Sequence, residues 1–418
     1  MSDIVFGSGI TIGTGISVLP PPTVPSAPTI GTATATGVTT ATVTFTAPVN
    51  NGGATIISYT ATSSPAGGTG TLSQAGSGTI NVTGLTGSTS YTFTVTATNS
   101  VGTSSPSASS NSITTPSPLP SRKVIFGYGS PSGYTSITNL VTNTGVVGND
   151  VTGVGTARGG LAAAGYGGDK AIFGYGSTGS MSSITNLVSN TGVVGNDVTG
   201  VGTARSDLAA AGYGTDKAIF GYGNVNSGPP NYTNTVQSKS NLVTNTGVVG
   251  NDVTGVGTAR QGLAAAGYGT DKAIFGYGFA GGGGVSMTNL VSNTGVVASD
   301  TTGVGTGRYG PAAAGYGTDK AIFGYGQNSG GSYSLTNLVS NTGVVASDTT
   351  GVGTVRQNLA AAGYGEDKAI FGYGQGGPAL GYNEQSMTNL VSNTGVVASD
   401  TTGVGTARQV LAAASYGT

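Results

Sequence analysis

One segment recurs six times in the second part of this chain, and the repetition sharply limits the folds open to it. The repeated text is K-A-I-F-G-Y-G, a variable insert, T-N-L-V-S-N-T-G-V-V-A-S-D-T-T-G-V-G-T-A-R, two variable residues and L-A-A-A-G-Y-G-T-D. The period is 47 to 55 residues, with copies beginning at Lys123, Lys170, Lys217, Lys272, Lys320 and Lys368. Self-similarity at this period predicts a repeat architecture in which each copy is one supersecondary unit.

Composition sets the fold class and excludes several kinds of chemistry. The chain has no Cys and no His, which excludes disulfides, thiolate and imidazole catalysis, and ordinary zinc sites. Charged residues are only 7% of 418 and the net charge is −1, so no nucleic-acid partner is expected. No apolar run is long enough to span a bilayer, so membrane insertion is not expected either. Abundant Thr, Val and Tyr without a 3.6-residue apolar period predict an all-β protein.

The first 22 residues form an apolar strip that runs into a proline-rich linker, L-P-P-P-T-V-P-S-A-P. The strip has no basic flank and no unbroken apolar core, so no signal peptide is predicted. It is either a loose terminus or edge strand, or a docking strand completed by another chain, which would also allow homo-oligomers. The candidate docking residues are Ile4, Phe6, Ile10, Ile12, Ile16 and Val18.

Residues 23–118 contain short β-rich runs separated by turn signals, the pattern of a β-sandwich. The runs A-T-V-T-F-T-A-P-V-N-N-G-G, I-I-S-Y-T-A-T and I-N-V-T-G-L-T-G-S-T-S-Y-T-F-T-V-T-A-T-N-S-V-G resemble the fibronectin type III family. Leu85 and Tyr91 stand at its signature positions, and Phe45 replaces its buried Trp. The resemblance implies a spacer or an adhesive module, of which the spacer is favoured. A linker at 119–122 joins this domain to the repeats.

The repeats at 123–418 predict four strands per copy and a closed ring. Small Ala and Gly fill the first strand, as expected where sheets converge, whereas Leu and Val fill the outer strands. No L-A-A-A-G-Y-G stands before the first K-V-I-F-G-Y-G at Lys123, whereas L-A-A-A-S-Y-G-T at Leu411–Thr418 has no K-A-I-F after it. We therefore expect the C-terminal strand to pair beside Lys123–Gly129 and close a six-bladed β-propeller.

The same residues resemble kelch-type propellers. F-G-Y-G stands at that family's diglycine, T-N-L-V-S-N-T-G resembles the stretch that follows, and T-A-R matches its basic position. The family's Trp is missing from every copy. The resemblance implies a kelch-like propeller of a divergent branch.

Charges in the repeats recur at fixed positions, which favours a structural role over catalysis because catalytic groups have unique surroundings. We expect the arginines and aspartates to tie adjacent blades through charge-assisted hydrogen bonds. The alternative, calcium binding by the aspartates, lacks a D-x-D-x-D-G loop. No cofactor, no metal and no enzymatic activity are predicted, since kelch-type copper oxidases need His and Cys. The repeated groups are Arg158, Arg205, Arg260, Arg308, Arg356 and Arg408, and Asp150, Asp197, Asp252, Asp300, Asp348 and Asp400.

Two stretches vary between copies, namely the insert and the pair of residues after each arginine. In an up-and-down blade both connections emerge on the same face, so we expect them to form one surface. Aromatic and amide side chains in Gly-rich loops favour binding of a sugar or a protein over neutral drift. The candidate ligand-binding residues are Tyr134, Asp207, Tyr232, Lys239, Phe279, Tyr309, Tyr333, Gln357, Tyr382 and Glu384.

Near-identical repeats, a spacer without charges and an apolar strip together resemble a virion protein of a tailed bacteriophage. The predicted function is a tail or head fibre or appendage, made in the host cytoplasm and located in the virion. Residues 1–19 would dock on other virion proteins, and the variable face would bind a host-surface glycan or protein. The alternatives are a capsid or tail decoration or cement protein without a receptor role, and a bacterial surface adhesin.

Overall fold

A computed structural model describes residues 20–116, 121–226 and 234–417 of the chain. The chain divides into two compact units, Met1–Leu119 and Pro120–Thr418. The predicted docking residues, Tyr232 and part of the 119–122 linker lie outside the described residues. Within those residues the structure is all-β as predicted, with one 3-10 turn at Pro378–Leu380 and no helix able to span a membrane.

Seven strands build the first unit, namely β1 (Thr29–Gly37), β2 (Thr40–Thr46), β3 (Ser58–Ser64), β4 (Thr69–Leu72), β5 (Gly78–Thr83), β6 (Ser90–Thr98) and β7 (Ile113–Thr114). They form one hydrogen-bonded sheet in the order β1-β2-β5-β4-β3-β6-β7. The sheet curls into a nearly closed barrel-like sandwich in which β4 and β5 pair only at Thr69 and Thr83.

Alternation of apolar and polar residues places every second side chain of these strands in the core. Phe45, at the position of the family's Trp, is buried against Tyr59 with ring centroids 4.2 Å apart. The Tyr91 hydroxyl accepts a hydrogen bond from the Thr86 backbone N–H at 2.9 Å, as in a tyrosine corner. Both positions that carried the resemblance therefore have structural roles in the core.

Six antiparallel sheets with a common pattern build the second unit. The inner strands are Ala162–Tyr166, Ala209–Tyr213, Ala264–Tyr268, Ala312–Tyr316, Ala360–Tyr364 and Ala412–Tyr416. The middle strands are Lys123–Gly127, Lys170–Gly174, Lys217–Gly221, Lys272–Gly276, Lys320–Gly324 and Lys368–Gly372. The third strands are Thr138–Val141, Thr185–Val188, Ser240–Val243, Thr288–Val291, Thr336–Val339 and Thr388–Val391.

The C-terminal strand completes the first sheet. Ala412–Tyr416 pairs antiparallel with Lys123–Gly127, which confirms the predicted pairing of the two ends. Each inner strand contacts the inner strands of the sheets before and after it, and the last contacts the first. Every inner strand therefore has a neighbouring inner strand on both sides, and the series of six closes on itself.

The predicted fourth strand is continuous only in the first copy, where Val147–Val151 pairs with Thr138–Val141 through one register shift. In the other copies the same stretch makes isolated bridges, such as Val188 with Val194 and Thr185 with Val198. The spacing is unequal in every copy, the first included, because the bridged residues are four apart on one side and three apart on the other. The stretch therefore bulges instead of pairing residue by residue.

Short strands within the inserts complete the described architecture. Hairpins pair Asn224–Asn226 with Asn234–Val236, Phe279–Ala280 with Gly283–Gly284, and Gln327–Asn328 with Gly331–Ser332. Arg356–Gln357 pairs with Gln375–Gly376.

The glycine that ends each middle strand allows neighbouring sheets to pack. A Cβ atom at Gly221 would lie 2.7 Å from Cζ of Phe275 in the next sheet. At Gly372 the same atom would lie 2.8 Å from Cζ of Phe126, which belongs to the first sheet. The same close contact therefore joins the sixth sheet to the first.

Candidate functional site

The repeated arginines are fully buried and their donors are used within the protein. Arg260 donates from Nε to the Tyr277 carbonyl at 2.8 Å, from Nη1 to the Thr258 carbonyl at 3.1 Å and from Nη2 to Asn289 Oδ1 at 2.6 Å. Its guanidinium lies 4.4 Å from the ring centroid of Tyr222, which belongs to the preceding sheet. The hydrogen bonds thus hold Arg260 to its own sheet, and the cation–π contact joins it to the neighbour.

This arrangement corrects the prediction that the arginines and aspartates tie adjacent blades through charge-assisted hydrogen bonds, because those bonds lie within one sheet. Arg260 Nη1 is 3.8 Å from Asp300 Oδ1, an ion pair without a direct hydrogen bond, and Asn289 and Thr258 bridge the two groups. Partial burial would raise the pKa of Asp300, but hydrogen bonds from Thr258 and Asn289 outweigh it and hold the pKa below its usual value. These charges therefore stabilise the scaffold.

The fifth copy departs from the pattern. Arg356 Nη1 donates to the Met387 carbonyl at 2.8 Å, and its buried Nε has no hydrogen-bond partner among the described residues. The Gln357 Oε1 atom beside it is also buried without a donor there. Pairing of Arg356–Gln357 with Gln375–Gly376 accompanies this change, so the sixth insert breaks the symmetry locally.

A closed ring of main-chain hydrogen bonds joins the turns that follow the inner strands, which we call the constant end. Each turn glycine donates to the carbonyl before the middle-strand lysine of the next sheet, for example Gly214 N–H to Asp271 C=O at 2.7 Å. Gly365 donates to Arg122 C=O at 2.8 Å, because the first copy has arginine at the aspartate position. Only the carbonyl is needed, so this replacement leaves the ring intact.

A second closed ring lies at the other end of the inner strands, the variable end. It is built by the second residue of each variable pair, whose N–H donates at 2.7–2.9 Å to the carbonyl of the equivalent residue in the preceding sheet. All six residues have positive φ, between 48° and 63°. In ring order they are Gly160, Asp207, Gly262, Gly310, Asn358 and Val410.

The two variable stretches are also hydrogen-bonded to each other. The first residue of a variable pair pairs with the first residue of an insert, as in Ser206 with Asn224, Gln261 with Phe279, and Gly159 with Ser177. The expected convergence of both stretches at one end is therefore observed. Side chains that differ between copies surround a ring made only of main-chain groups.

On one side of this ring lie Ser206, Asp207, Asn224 and Gln261, here called the Asp207 arc. Asp207 Oδ2 accepts hydrogen bonds from Ser206 Oγ and Asn224 Nδ2, each at 3.2 Å, and Asn224 also donates to Gln261 Oε1. Asp207 Oδ1 receives no hydrogen bond from the described residues, and it lies 2.9 Å from where a Cβ on Gly160 would be. Burial raises the pKa of Asp207, against the opposing effect of its two donors.

On the opposite side lie Gln357, Asn358, Gln375, Glu384 and Gln409, here called the Asn358 arc. Asn358 Nδ2 donates to Gln409 Oε1 at 3.3 Å, and Gln409 Nε2 donates to Glu384 Oε1 at 3.2 Å. Gln357 Nε2 donates to Gln375 Oε1 at 2.7 Å. Both arcs are rich in amide groups and each carries one carboxylate.

Three predicted aromatic residues lie next to the arcs. Phe279 and Tyr309 form an edge-to-face pair with centroids 5.3 Å apart, and Phe279 pairs with Gln261 through the backbone. Tyr134 is 44% exposed and its ring adjoins Gly159, whose would-be Cβ lies 3.0 Å from Tyr134 Cε1.

Three other predicted residues lie apart from the arcs. Lys239 Nζ is held by Thr203 Oγ1 at 3.0 Å and by Asp252 Oδ2 at 3.3 Å, within the repeated structural network. Tyr333 donates to Asn328 in its own insert hairpin, and Tyr382 is exposed in the sixth insert. The predicted set is therefore only partly brought together.

The arcs contain residues that were not among the predicted ligand-binding ones. Their positions could have been found from the sequence, because each residue lies in a variable pair or begins an insert. The prediction, however, favoured aromatic and charged side chains. The added residues are Ser206, Asn224, Gln261, Asn358, Gln375 and Gln409.

Among the described residues, no group of three or more acidic side chains could hold a metal ion. The repeated aspartates are instead bound by Thr and Asn donors, as Asp197 is by Thr156 and Asn186.

Two of the solved structures that match this chain illustrate how limited the likeness is. A fungal alcohol oxidase of the AA5 family, in complex with copper, matches 64% of this chain and 72% of its own at 14% identity and a TM-score of 0.41. Titin kinase with its flanking domains matches 29% of this chain and 28% of its own, at 19% identity and a TM-score of 0.19. A search of curated proteins found no match.

The oxidase match contradicts the prediction that the chain is not an enzyme, and that prediction is withdrawn. Its physical basis was too narrow, since the lack of His and Cys removes imidazole and thiolate groups but leaves carboxylate and phenol chemistry open. At this identity and TM-score the likeness carries no argument about an activity of this chain.

A family model gives the firmest comparison. Residues 26–113 match the model described as "Fibronectin type III domain", in agreement with the buried Phe45 and the Tyr91 corner. The predicted resemblance is confirmed over these residues, and the chain contains a fibronectin type III domain.

Proposed function

We propose that the second unit is a kelch-like six-bladed β-propeller whose variable end binds a host-surface molecule for a tailed bacteriophage particle. The observation that carries this proposal is the segregation of sequence variation. Residues that differ between copies lie around one main-chain ring, whereas the turns at the other end are nearly constant. A rigid scaffold with variable loops at one end is the usual arrangement of a binding surface.

The virion assignment is supported by the organisation of the chain. The fibronectin type III domain has no charged residue and suits a spacer, and residues 1–19 would dock on other virion proteins. A tail or head appendage needs both parts, one to attach to the particle and one to reach the host.

Exchange of inserts tests the binding proposal. Two variants of the full chain replace 224–239 or 375–387 with the short second insert, S-T-G-S-M-S-S-I at Ser177–Ile184. Labelled protein is measured on intact cells of a panel of bacterial strains, with circular dichroism as the folding control. We expect binding to particular strains that is lost in the exchanged variants. Unchanged strain preference in both folded variants would refute the proposal.

Immunoelectron microscopy of particles tests the location. Label at tail tips or at a few appendages supports a role in attachment. Label covering the capsid or tail in many copies would instead favour the decoration or cement protein, and label on cells alone would favour a bacterial adhesin.

A further inference from the structure

The ring order at the variable end places two polar side chains opposite each other. Asp207 and Asn358 stand three positions apart in the ring of six, with glycines at Gly262 and Gly310 between them on one side. The remaining positions are Gly160 and Val410. Since the ring itself uses only main-chain groups, it requires neither of the two polar side chains.

Acceptors without donors are concentrated in the two arcs. Asp207 Oδ1 and Asn358 Oδ1 receive no hydrogen bond from the described residues, and Gln357 Oε1 is buried without a donor there. Gln357 is only 4% exposed, so its Oε1 is out of reach of water and of a ligand alike. Asp207 and Asn358 are partly exposed, so a ligand that brings hydroxyl or amine donors can reach their Oδ1 atoms.

Positive side chains are absent from both arcs. Six of the seven arginines are completely buried in the scaffold, and Lys239 is held by Asp252. Five lysines pair with aspartates at the constant end, and Arg122 and Lys123 also lie there. A phosphate, sulfate or carboxylate would meet Asp207 and Glu384 without a compensating cation, so an anionic ligand is disfavoured.

Apolar surface adjoins these acceptors. The Phe279–Tyr309 pair lies beside the Asp207 arc, and Tyr134 adjoins Gly159 and Val410. Aromatic rings next to hydrogen-bonding groups suit a ligand with both C–H faces and hydroxyl groups.

From these four features we infer that the variable end binds a neutral or amino-bearing sugar unit between the Asp207 and Asn358 arcs. This inference rests on the proposed function and specifies its ligand class and position. Sugar hydroxyls or an amino group donate to Asp207 and Asn358, and the aromatic rings contact the apolar faces of the sugar.

Two substitutions test the site without disturbing the ring. Asp207→Asn keeps the shape but removes the charge, and Asn358→Gly introduces the residue found at three other ring positions. Glu366→Gln removes an exposed carboxylate at the constant end and serves as the matched control. The full chain and each variant are applied to an array of neutral, amino-bearing and acidic oligosaccharides and to the bacterial panel.

We expect binding to neutral or amino-bearing sugars that falls about 10- to 100-fold in Asp207→Asn, the effect of losing a hydrogen bond to a charged group. Asn358→Gly should weaken binding as well, and Glu366→Gln should not. Binding confined to acidic sugars would overturn the ligand class. Sugar binding that survives both arc substitutions would overturn the position.

Two further outcomes separate this inference from the proposed function. If cells are bound but no sugar is, the inference fails and a protein receptor replaces the glycan. If neither cells nor sugars are bound, the proposed function itself fails.

Discussion

The buried arginine network gives a stability prediction, and an equivalent arginine in another copy of the repeat serves as its control. Arg260→Ala removes a fully buried guanidinium with three hydrogen bonds, leaving Asn289 Oδ1 and the Tyr277 carbonyl without their donor. It also leaves Asp300 without its ion-pair partner. A buried acceptor left without its donor costs about 1–3 kcal/mol, so for the two acceptors together we expect a loss of unfolding free energy of about 2–6 kcal/mol.

Arg356 provides the internal comparison. Its Nε has no partner among the described residues, so Arg356→Ala removes one hydrogen bond fewer than Arg260→Ala does. A hydrogen bond to a charged group contributes about 1.5–3 kcal/mol, and the loss should be smaller by a similar amount. Lys217→Ala, which breaks an exposed ion pair with Asp216, should have little effect.

Denaturant titration followed by hydrogen exchange and mass spectrometry measures these effects, because peptides report the two units of the chain separately. Peptides from the fibronectin type III domain should keep their transition in every variant. Equal losses for Arg260→Ala and Arg356→Ala, or a loss below about 1 kcal/mol for Arg260→Ala, would refute the reasoning.

Three further outcomes follow from packing, backbone geometry and charge. Gly221→Ala should cost about 1–3 kcal/mol in chemical denaturation, because its Cβ would lie 2.7 Å from Phe275, whereas Gly133→Ala, in open space, should be neutral. Val410 has a φ of 48°, unfavourable for a β-branched residue, so Val410→Asn should add about 1 kcal/mol and raise the Tm. The repeated aspartates, such as Asp300, have lowered pKa values in the folded protein. Their contribution to stability is therefore complete above the unfolded pKa of about 4 and is lost as the pH falls further. The Tm should fall between pH 6 and pH 2 in thermal melts, and a Tm that does not change with pH would contradict this.

The pairing of the two ends of the second unit could be predicted from the sequence, because Leu411–Thr418 supplies the inner strand that is missing before Lys123. The position of the variable stretches followed from strand connectivity alone. The ring through Asp207 and Val410 could not be predicted in this way, because every residue has the N–H and C=O groups that build it.

Side-chain geometry could not be predicted from the sequence either. The repeated arginine and aspartate were correctly expected to interact, but their bridging by Asn289 and Thr258 depends on distances that spacing does not give. Lys239 was predicted as a ligand contact because it lies in a variable insert, yet Asp252 holds it in the scaffold. A residue in a variable stretch is therefore not necessarily available for binding.

Hydrogen exchange of the full chain, with and without the envelope polysaccharide of a strain that it binds, tests the central claim most directly. We predict slower exchange in the inserts and variable pairs, above all in peptides covering 206–226, 279–284 and 375–385. The constant-end turns, such as Gly214–Asp216, should exchange at the same rate in both states. Protection of those turns or of the fibronectin type III domain, with unchanged exchange in the inserts, would contradict the account.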